Sequence, residues 1–248
     1  MTSTDTARAR YDEWHDRYPV DADADAPWHR LVRQYLEPRR DLAGRRVLEV
    51  GCGRGGFACW MAGHSTTAGA IVAADFSVTA IEKARAFAAE RQIGGVTWEV
   101  GDIEHLAHED ESFDTAVSCE TIEHVPHPRD AIGELARILR PGGRLFLTCP
   151  NYLGTLGLYR IFLHLRGRPF TEEGQPINNA LLLPLTRAWV ARAGLRVLLT
   201  AAVGQYLPVH GRPPLTLSWL EHPRGRGPAR WIGHHSLIVA EKVSHPAL

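Results

Sequence analysis

An acidic residue directly before a glycine-rich turn is the first feature of this sequence that could do chemistry. The stretch VLEVGCGRGGF, residues 47–57, holds Gly51, Gly53 and Gly56 at the G-x-G-x-x-G spacing of a dinucleotide-binding loop. Glycines there permit a tight turn and close approach of the backbone to a ligand. The spacing alone is weak evidence, because a plain connection between a strand and a helix can use the same residues.

The charge of Glu49 distinguishes between the ligands that this turn could hold. A pyrophosphate beside the carboxylate would be repelled by several kcal/mol at low effective dielectric. A ligand that carries an ammonium and a sulfonium group would be attracted instead. We therefore expect a cation at Glu49, and S-adenosylmethionine (SAM) carries both cations together with adenine and ribose.

Two further carboxylates follow at positions that suit a nucleoside. Asp75 ends the second apolar run, about twenty residues after the turn, where a carboxylate can accept hydrogen bonds from both ribose hydroxyls. Asp102 ends the third run and could accept a hydrogen bond from the adenine amino group. Phe76 and Ile103 could then enclose the adenine ring. Asp75 alone would suit NAD as well, so the discrimination depends on Glu49 and Asp102.

His124 is the residue that we expect to accept a proton from a hydroxyl nucleophile, because an imidazole titrates near neutral pH. The alternative is a histidine that fixes its loop. Glu120 and Glu123 share a helical face with His124, and this spacing could hold a divalent cation. A solvated helix start with acids near its positive end is the interpretation that we favour, so no metal is predicted.

The elements that position these residues follow an alternation of apolar runs and helical patterns. The pattern predicts an α/β fold: a single Rossmann-like, doubly wound, mostly parallel seven-stranded sheet that binds ligands at the carboxyl ends of its strands. The predicted strands are 45–50, 70–75, 96–102, 113–119, 144–150, 195–203 and 235–242. The predicted helices are 55–64, 77–92 with Ser77 as its N-cap, 129–139 with a turn at Pro141 and Gly142 after it, and 185–194.

The domain organisation predicted from these patterns has two parts. Residues 1–44 form an N-terminal helical lid with Tyr11, Trp14 and Trp28 as cover residues, or else a helix pair packed on the edge of the sheet. Residues 45–248 form the ligand-binding domain, with substrate-side insertions at 151–184 and 204–234. Aromatic residues of the first insertion could line an apolar acceptor pocket or simply pack in the core; they are Tyr152, Tyr159, Phe162 and Phe170.

The bulk composition disfavours several classes of partner. Lys and Arg together number 28, as do Asp and Glu, so no net basic field exists to gather nucleic acid. No apolar run approaches the roughly 18 residues that span a membrane. The four cysteines form no C-x-x-C pair and are expected to be reduced core thiols of a cytoplasmic protein. The preference for Arg over Lys is typical of a GC-rich, bacterial genome.

Five stretches resemble the ordered motifs of class I SAM-dependent methyltransferases: VLEVGCGRGGF, AADFS, GDIEHL, FDTAVSCETIEHVPHP and LRPGGRLFLTCPN. SCETIEHV followed by LRPGG is most similar to the ubiquinone-biosynthesis O-methyltransferase type, whose E-x-x-E-H pattern has a proposed metal role. The resemblance covers residues 45–150 and implies SAM as cofactor, with Gly51 at the methionine part and Cys119 against the cofactor. The predicted cofactor-binding residues are Glu49, Gly51, Gly53, Asp75, Phe76, Asp102, Ile103, Cys119 and Glu120.

The sequence therefore predicts an O-methyltransferase that acts on a small-molecule hydroxyl, in a phenol, a natural-product scaffold or a sugar. Such a fold constrains the donor more than the acceptor, so three other functions stay open. They are an N-methyltransferase of a small metabolite, a non-catalytic SAM-binding protein and, least favoured, an NAD-dependent oxidoreductase.

Overall fold

Seven runs of mainly apolar residues form the strands of one sheet, in the order β3-β2-β1-β4-β5-β9-β6. The computed structural model describes residues 3–17, 24–65, 70–168, 175–207, 215–220 and 222–243, with side chains from residue 6 onward. The strands are β1 (Val47–Val50), β2 (Ile71–Asp75), β3 (Val96–Val100), β4 (Phe113–Cys119), β5 (Leu139–Pro150), β6 (Leu195–Val203), β7 (Tyr206–Leu207), β8 (Leu215–Thr216) and β9 (His235–Lys242). The α-helices are α1 (Ser3–Arg17), α2 (Pro27–Arg33), α3 (Gly56–His64), α4 (Val78–Glu90), α5 (Pro128–Ile138), α6 (Thr155–Leu165) and α7 (Leu183–Arg192).

The direction of the strands places the ligand edge of the sheet. From β1 the chain proceeds outward to β2 and β3 and then returns to the other side of β1 with β4, and all of these pairs are parallel. A crevice opens where the strand order reverses in this way, at the carboxyl ends of β1 and β4. β9 runs antiparallel to both β5 and β6, so its first residue lies at this same edge.

Helices cover both faces of the sheet, as the fully buried β1 requires. One core contains Leu48 of β1, Leu135 of α5 and Val190 of α7. The other contains Val47 of β1, Phe57 of α3 and Leu31 of α2. The prediction of an α/β, doubly wound, mostly parallel seven-stranded sheet is confirmed.

Several predicted boundaries are wrong. β5 begins at Leu139 rather than at 144, because Leu139 pairs with Phe113 and a register shift then accommodates the residues before Arg144. The turn expected after α5 is thus an irregularity inside a strand. β3 ends at Val100, which leaves Asp102 in the following turn. Within the insertion 151–184, α6 forms, and α7 begins at Leu183, two residues before the predicted start of that helix.

The N-terminal segment contributes to both the core and the ligand edge. In α2, Leu31 and Val32 are fully buried in the second core. α1 lies instead against α4 and the turn before it, where the Asp12 carboxylate accepts hydrogen bonds from Ser77 Oγ at 2.5 Å and from the Thr79 amide at 3.1 Å. Ser77 Oγ in turn accepts from the Ala80 amide, so the predicted N-cap is confirmed. Among the described helices, none combines the length and apolar character that a membrane span requires.

Candidate active site

The glycine turn after β1 depends on backbone conformations that other residues rarely adopt. Gly51 has φ +76° and Gly55, the N-cap of α3, has φ +77°. A Cβ on Gly51 would lie 2.1 Å from Thr121 Oγ1, and one on Gly55 would lie 2.4 Å from the ring of Trp98. Gly55, which is not one of the three glycines of the G-x-G-x-x-G spacing, therefore holds the left-handed position that closes the turn.

Replacing Gly51 with alanine is expected to lower the free energy of unfolding by about 2–5 kcal/mol, from the left-handed backbone together with the clash at Thr121. Gly142→Ala is the matched control, because Gly142 has φ +78° but nothing lies within 4 Å of its added Cβ. The control should lose only about 1–2 kcal/mol. Chemical denaturation of both variants measures the difference, and equal losses would show that the contact with Thr121 is unimportant.

Asp75, at the end of β2, ties the glycine turn to the start of α4. Its Oδ2 accepts a hydrogen bond from the Gly53 amide at 2.8 Å, and its Oδ1 accepts one from the Ser77 amide at 2.9 Å. His15 Nε2 of α1 lies 3.9 Å from Oδ1. Burial lowers the pKa of His15, although Asp75 acts in the opposite direction. A carboxylate has further lone pairs, so the ribose contact stays a prediction for Asp75.

Glu49 is a buried carboxylate with an unsatisfied oxygen. The residue is 2% exposed. Burial and the nearby charge of Asp75 raise its pKa well above the usual range, against a lowering effect of the Ala58 amide of α3. Its Oε2 has no hydrogen-bond partner among the residues that the structure describes. Such a group is costly to bury alone, and a ligand cation would compensate it.

Each side chain of the predicted adenine pocket has contacts with other residues of the chain. Asp102 Oδ1 accepts a hydrogen bond from the Glu104 amide at 2.9 Å, which fixes the turn after β3. Ile103 is buried in the first core. The ring of Phe76 has the Arg8 guanidinium above it at 4.8 Å and the ring of Tyr11 at its edge. Their contacts with adenine stay predictions.

His124 ends a short 3₁₀ turn, Ile122–His124, directly after the Thr121 that faces the glycine turn. Its Nδ1 lies 2.8 Å from the carbonyl oxygen of Ile177. Because a carbonyl only accepts hydrogen bonds, Nδ1 carries the proton and Nε2 is the basic nitrogen of the ring. Nε2 lies 3.6 Å from Oε1 of the buried Glu123. This arrangement suits a proton acceptor whose charged form a carboxylate would stabilise.

α1 connects the donor side of the site with His124. The hydroxyl of Tyr11 donates a hydrogen bond to the backbone carbonyl of His124 at 2.8 Å. Burial raises the pKa of Tyr11 far above its usual range, so the phenol keeps its proton. Lys83 Nζ donates to the His15 carbonyl and pairs with Asp16, each at 2.7 Å.

Glu120 departs from the helical face that the sequence predicted. It has φ +47°, and its Oε2 accepts a hydrogen bond from His235 Nδ1 at 2.9 Å. It therefore does not join Glu123 and His124 in one ligand set. Within the described residues, one group of metal-type ligands lies within 4.8 Å, namely Glu104, His127 and Asp130, and two of its members are exposed.

The other predicted residues are distributed over different surroundings. Cys119 ends β4, where burial raises the pKa of its thiol, and the four cysteines are buried and free. Tyr152 is buried and its hydroxyl donates to Asn178 Oδ1 at 3.2 Å. Tyr159 and Phe162 stack on each other with ring centroids 6.4 Å apart. Trp14 meets His15, and Trp28 lies 4.9 Å from the His235 ring. Phe170 lies outside the described residues.

His235 is the functional candidate that sequence reasoning missed. The register pairs it with Pro150, the last residue of β5, and with Val203, the last residue of β6. The final strand was predicted with His235 as its first residue. The apolar pattern could not show that this strand runs antiparallel to its neighbours, which is the direction that brings His235 to the ligand edge.

Comparisons with known proteins show which family the chain is similar to. A methyltransferase domain family matches residues 48–147. The chain is 35% identical over 153 residues to the methyltransferase GfsG of Streptomyces halstedii, covering 61% of this chain and 54% of that protein. It is 32% identical over 171 residues to a ubiquinone biosynthesis O-methyltransferase of Coxiella burnetii, covering 66% of this chain and 69% of that protein. The chain thus spans about half of the first relative and about two thirds of the second.

A solved structure shows the same fold. The SAM-dependent methyltransferase of Mesorhizobium loti superposes with a TM-score of 0.62 at 17% identity, covering 88% of this chain and all of that one. The unsatisfied Glu49 oxygen and the glycine turn fit the cationic donor of this family. The chain belongs to the SAM-dependent methyltransferases and uses SAM as its cofactor.

Proposed function

We propose that this enzyme methylates a hydroxyl group of a small molecule, such as a phenol, a natural-product scaffold or a sugar. The observation that carries the proposal is the geometry of His124. Its Nδ1–H is held by the Ile177 carbonyl at 2.8 Å, and its basic Nε2 lies beside the Glu123 carboxylate. A hydroxyl must lose its proton during the reaction, whereas an amine can attack in its neutral form, so a base favours the hydroxyl. The Coxiella relative is named an O-methyltransferase.

On the donor side, SAM supplies a methyl group that a nucleophile can take in one in-line displacement. Glu49 binds the cationic part of the donor from its buried position at the end of β1. Asp75 holds the glycine turn in place through the Gly53 amide. These groups fix the donor, and positioning of the nucleophile then supplies much of the acceleration.

On the acceptor side, His124 Nε2 takes the proton of the attacking hydroxyl. The resulting imidazolium is stabilised by Glu123, whose Oε1 is 3.6 Å away. Tyr11 holds the His124 backbone from α1, and Ile177 holds its ring from the first insertion. His124 is thus fixed from both sides of the site.

The balanced charge of the chain supports a small-molecule acceptor over a nucleic acid. The four free, buried cysteines support a reducing compartment, the cytoplasm. A natural-product acceptor is one of the classes to be tested, and a bacterial source fits the Arg-rich composition.

The test is the release of S-adenosylhomocysteine with a panel of phenols, sugars and matched amines, with the product identified by mass spectrometry. We expect transfer to oxygen in at least one phenol or sugar. Transfer to amines alone would favour an N-methyltransferase. Tight SAM binding with no product from any acceptor would favour a non-catalytic SAM-binding protein.

A further inference from the structure

A carboxylate–imidazole pair, Glu120 and His235, lies at the ligand edge of the sheet. Glu120 follows the last residue of β4, and His235 is the first residue of β9, 115 positions later in the chain. The two meet because β9 runs antiparallel to β5, which brings its start to the carboxyl ends of the parallel strands. The topology therefore places a second histidine at the edge where ligands of such sheets bind.

The backbone of Glu120 is strained, and this conformation directs the Glu120 side chain toward His235. Of the described residues, four without a glycine's freedom have positive φ, and Glu120 at +47° is one of them. Its amide donates to Thr148 of β5, to Oγ1 at 3.1 Å and to the carbonyl at 3.2 Å, which holds this conformation. Strain retained at a ligand edge is a frequent mark of function.

The pair fixes the chemical state of His235. Because Nδ1 donates to Glu120 Oε2, the basic nitrogen is Nε2, the orientation found in carboxylate–histidine pairs of enzyme sites. Glu120 Oε1 is buried and has no partner among the residues described. The rings of Trp28 and His234 flank His235 at 4.9 and 4.4 Å. The side chains of His235 and Glu120 are 13% and 14% exposed, so the surroundings of His235 are largely enclosed and aromatic, as in a pocket for an organic ligand.

The position of His235 separates its role from that of His124. His124 lies three residues after Thr121, which packs against Gly51 of the glycine turn, so we expect His124 on the donor side of the site. His235 is the first residue of β9, and the strands β4 and β5 lie between β9 and β1. A group on the third strand along the edge from β1 suits the body of the acceptor better than its reacting atom.

We propose that His235, oriented by Glu120, is an acceptor-binding residue. Its Nε2 accepts a hydrogen bond from a polar group of the acceptor other than the hydroxyl that His124 serves, and Trp28 covers the adjacent apolar part. This inference rests on the proposed function, since it needs an acceptor that is turned over.

Steady-state kinetics of His235→Ala, with the best hydroxyl acceptor of the panel, test the proposal. We expect the acceptor KM to rise by about 10–100-fold, as for a lost hydrogen bond to a polarised group, with kcat nearly unchanged. The Kd for SAM, measured by calorimetry, should equal that of the wild type. Glu120→Gln should raise the acceptor KM in the same direction, because the carboxylate orients the ring.

Two further variants make the result decisive. His235→Gln retains an amide that can donate to Glu120 and should restore part of the lost KM effect, which also covers the case that the alanine variant does not fold. His64→Ala is the matched control, because His64 is exposed at the last residue of α3.

An unchanged acceptor KM in His235→Ala would overturn the role of His235 alone. A loss of kcat at constant KM would also overturn it, because His235 would then take part in the chemical step. The absence of turnover in the wild type would overturn the proposed function together with this inference.

Discussion

His124→Ala is expected to lower kcat for a hydroxyl acceptor by about 10²–10⁴-fold, the usual contribution of a general base. SAM binding should not change, since the residues predicted to bind the donor do not include His124, whose backbone and ring are held by Tyr11 and Ile177. Single-turnover release of S-adenosylhomocysteine measures the effect on the chemical step.

A structural role of His124 is distinguished by His124→Gln. Glutamine can still donate a hydrogen bond to the Ile177 carbonyl but cannot take up a proton from the acceptor. We expect this variant to be nearly as slow as the alanine variant. Wild-type turnover in His124→Gln would mean that the histidine only fixes the first insertion, and the proton acceptor would have to be sought elsewhere. His64→Ala, at an exposed side chain in the last turn of α3, is the control.

Glu49→Gln is expected to weaken SAM binding by about 100-fold or more, because an ion pair at about 4 Å contributes up to about 4 kcal/mol at an effective dielectric of about 20. The same substitution should make the ligand-free protein more stable. It removes a buried carboxylate that Asp75 repels and that lacks a partner for one oxygen among the described groups. Weaker binding together with higher stability would identify a residue retained for its ligand.

The contribution of Glu49 to the free energy of unfolding should depend on pH. The folded state raises the pKa of Glu49 above 4.5, so over this interval the folded chain holds a proton that the unfolded chain has released. The free energy of unfolding therefore falls as pH rises from about 4.5 to the raised pKa. Glu49→Gln lacks this loss, so its advantage should widen with pH. Thermal melting across that range measures it, with Glu82→Gln on the exposed face of α4 as control.

The affinity for SAM should rise with pH, whereas the free energy of unfolding falls over the same range. A cation favours the ionised carboxylate, so SAM binding releases a proton from Glu49 and strengthens as pH rises through the raised pKa. Calorimetry in buffers of different ionisation enthalpy would detect this proton. Its absence in the wild type would mean that Glu49 is already ionised without the donor.

The sequence was sufficient for the features that depend on local pattern. Fully buried parallel strands are nearly continuous apolar runs, so β1, β2 and β4 were located to within two residues. The side chain of Ser77 made the start of α4 recognisable. Glu49 could be singled out because a charge at the end of a buried strand contradicts its surroundings.

Features that depend on pairing between distant residues were not predictable in this way. The irregular start of β5 follows from the match between Leu139 and Phe113, which no local pattern contains. Gly55 closes the turn because Trp98 of β3 leaves no room for a side chain. The Glu120–His235 pair requires the direction of β9 and the positive φ of Glu120, and both are products of the folded sheet.

The central claim is that the buried carboxylate at the end of β1 receives a positively charged methyl donor and not a pyrophosphate. Equilibrium dialysis of the wild-type chain against SAM and against NAD tests it most directly. Saturable binding of SAM, with no measurable retention of NAD, is the result that we expect. Retention of NAD without binding of SAM would contradict the claim.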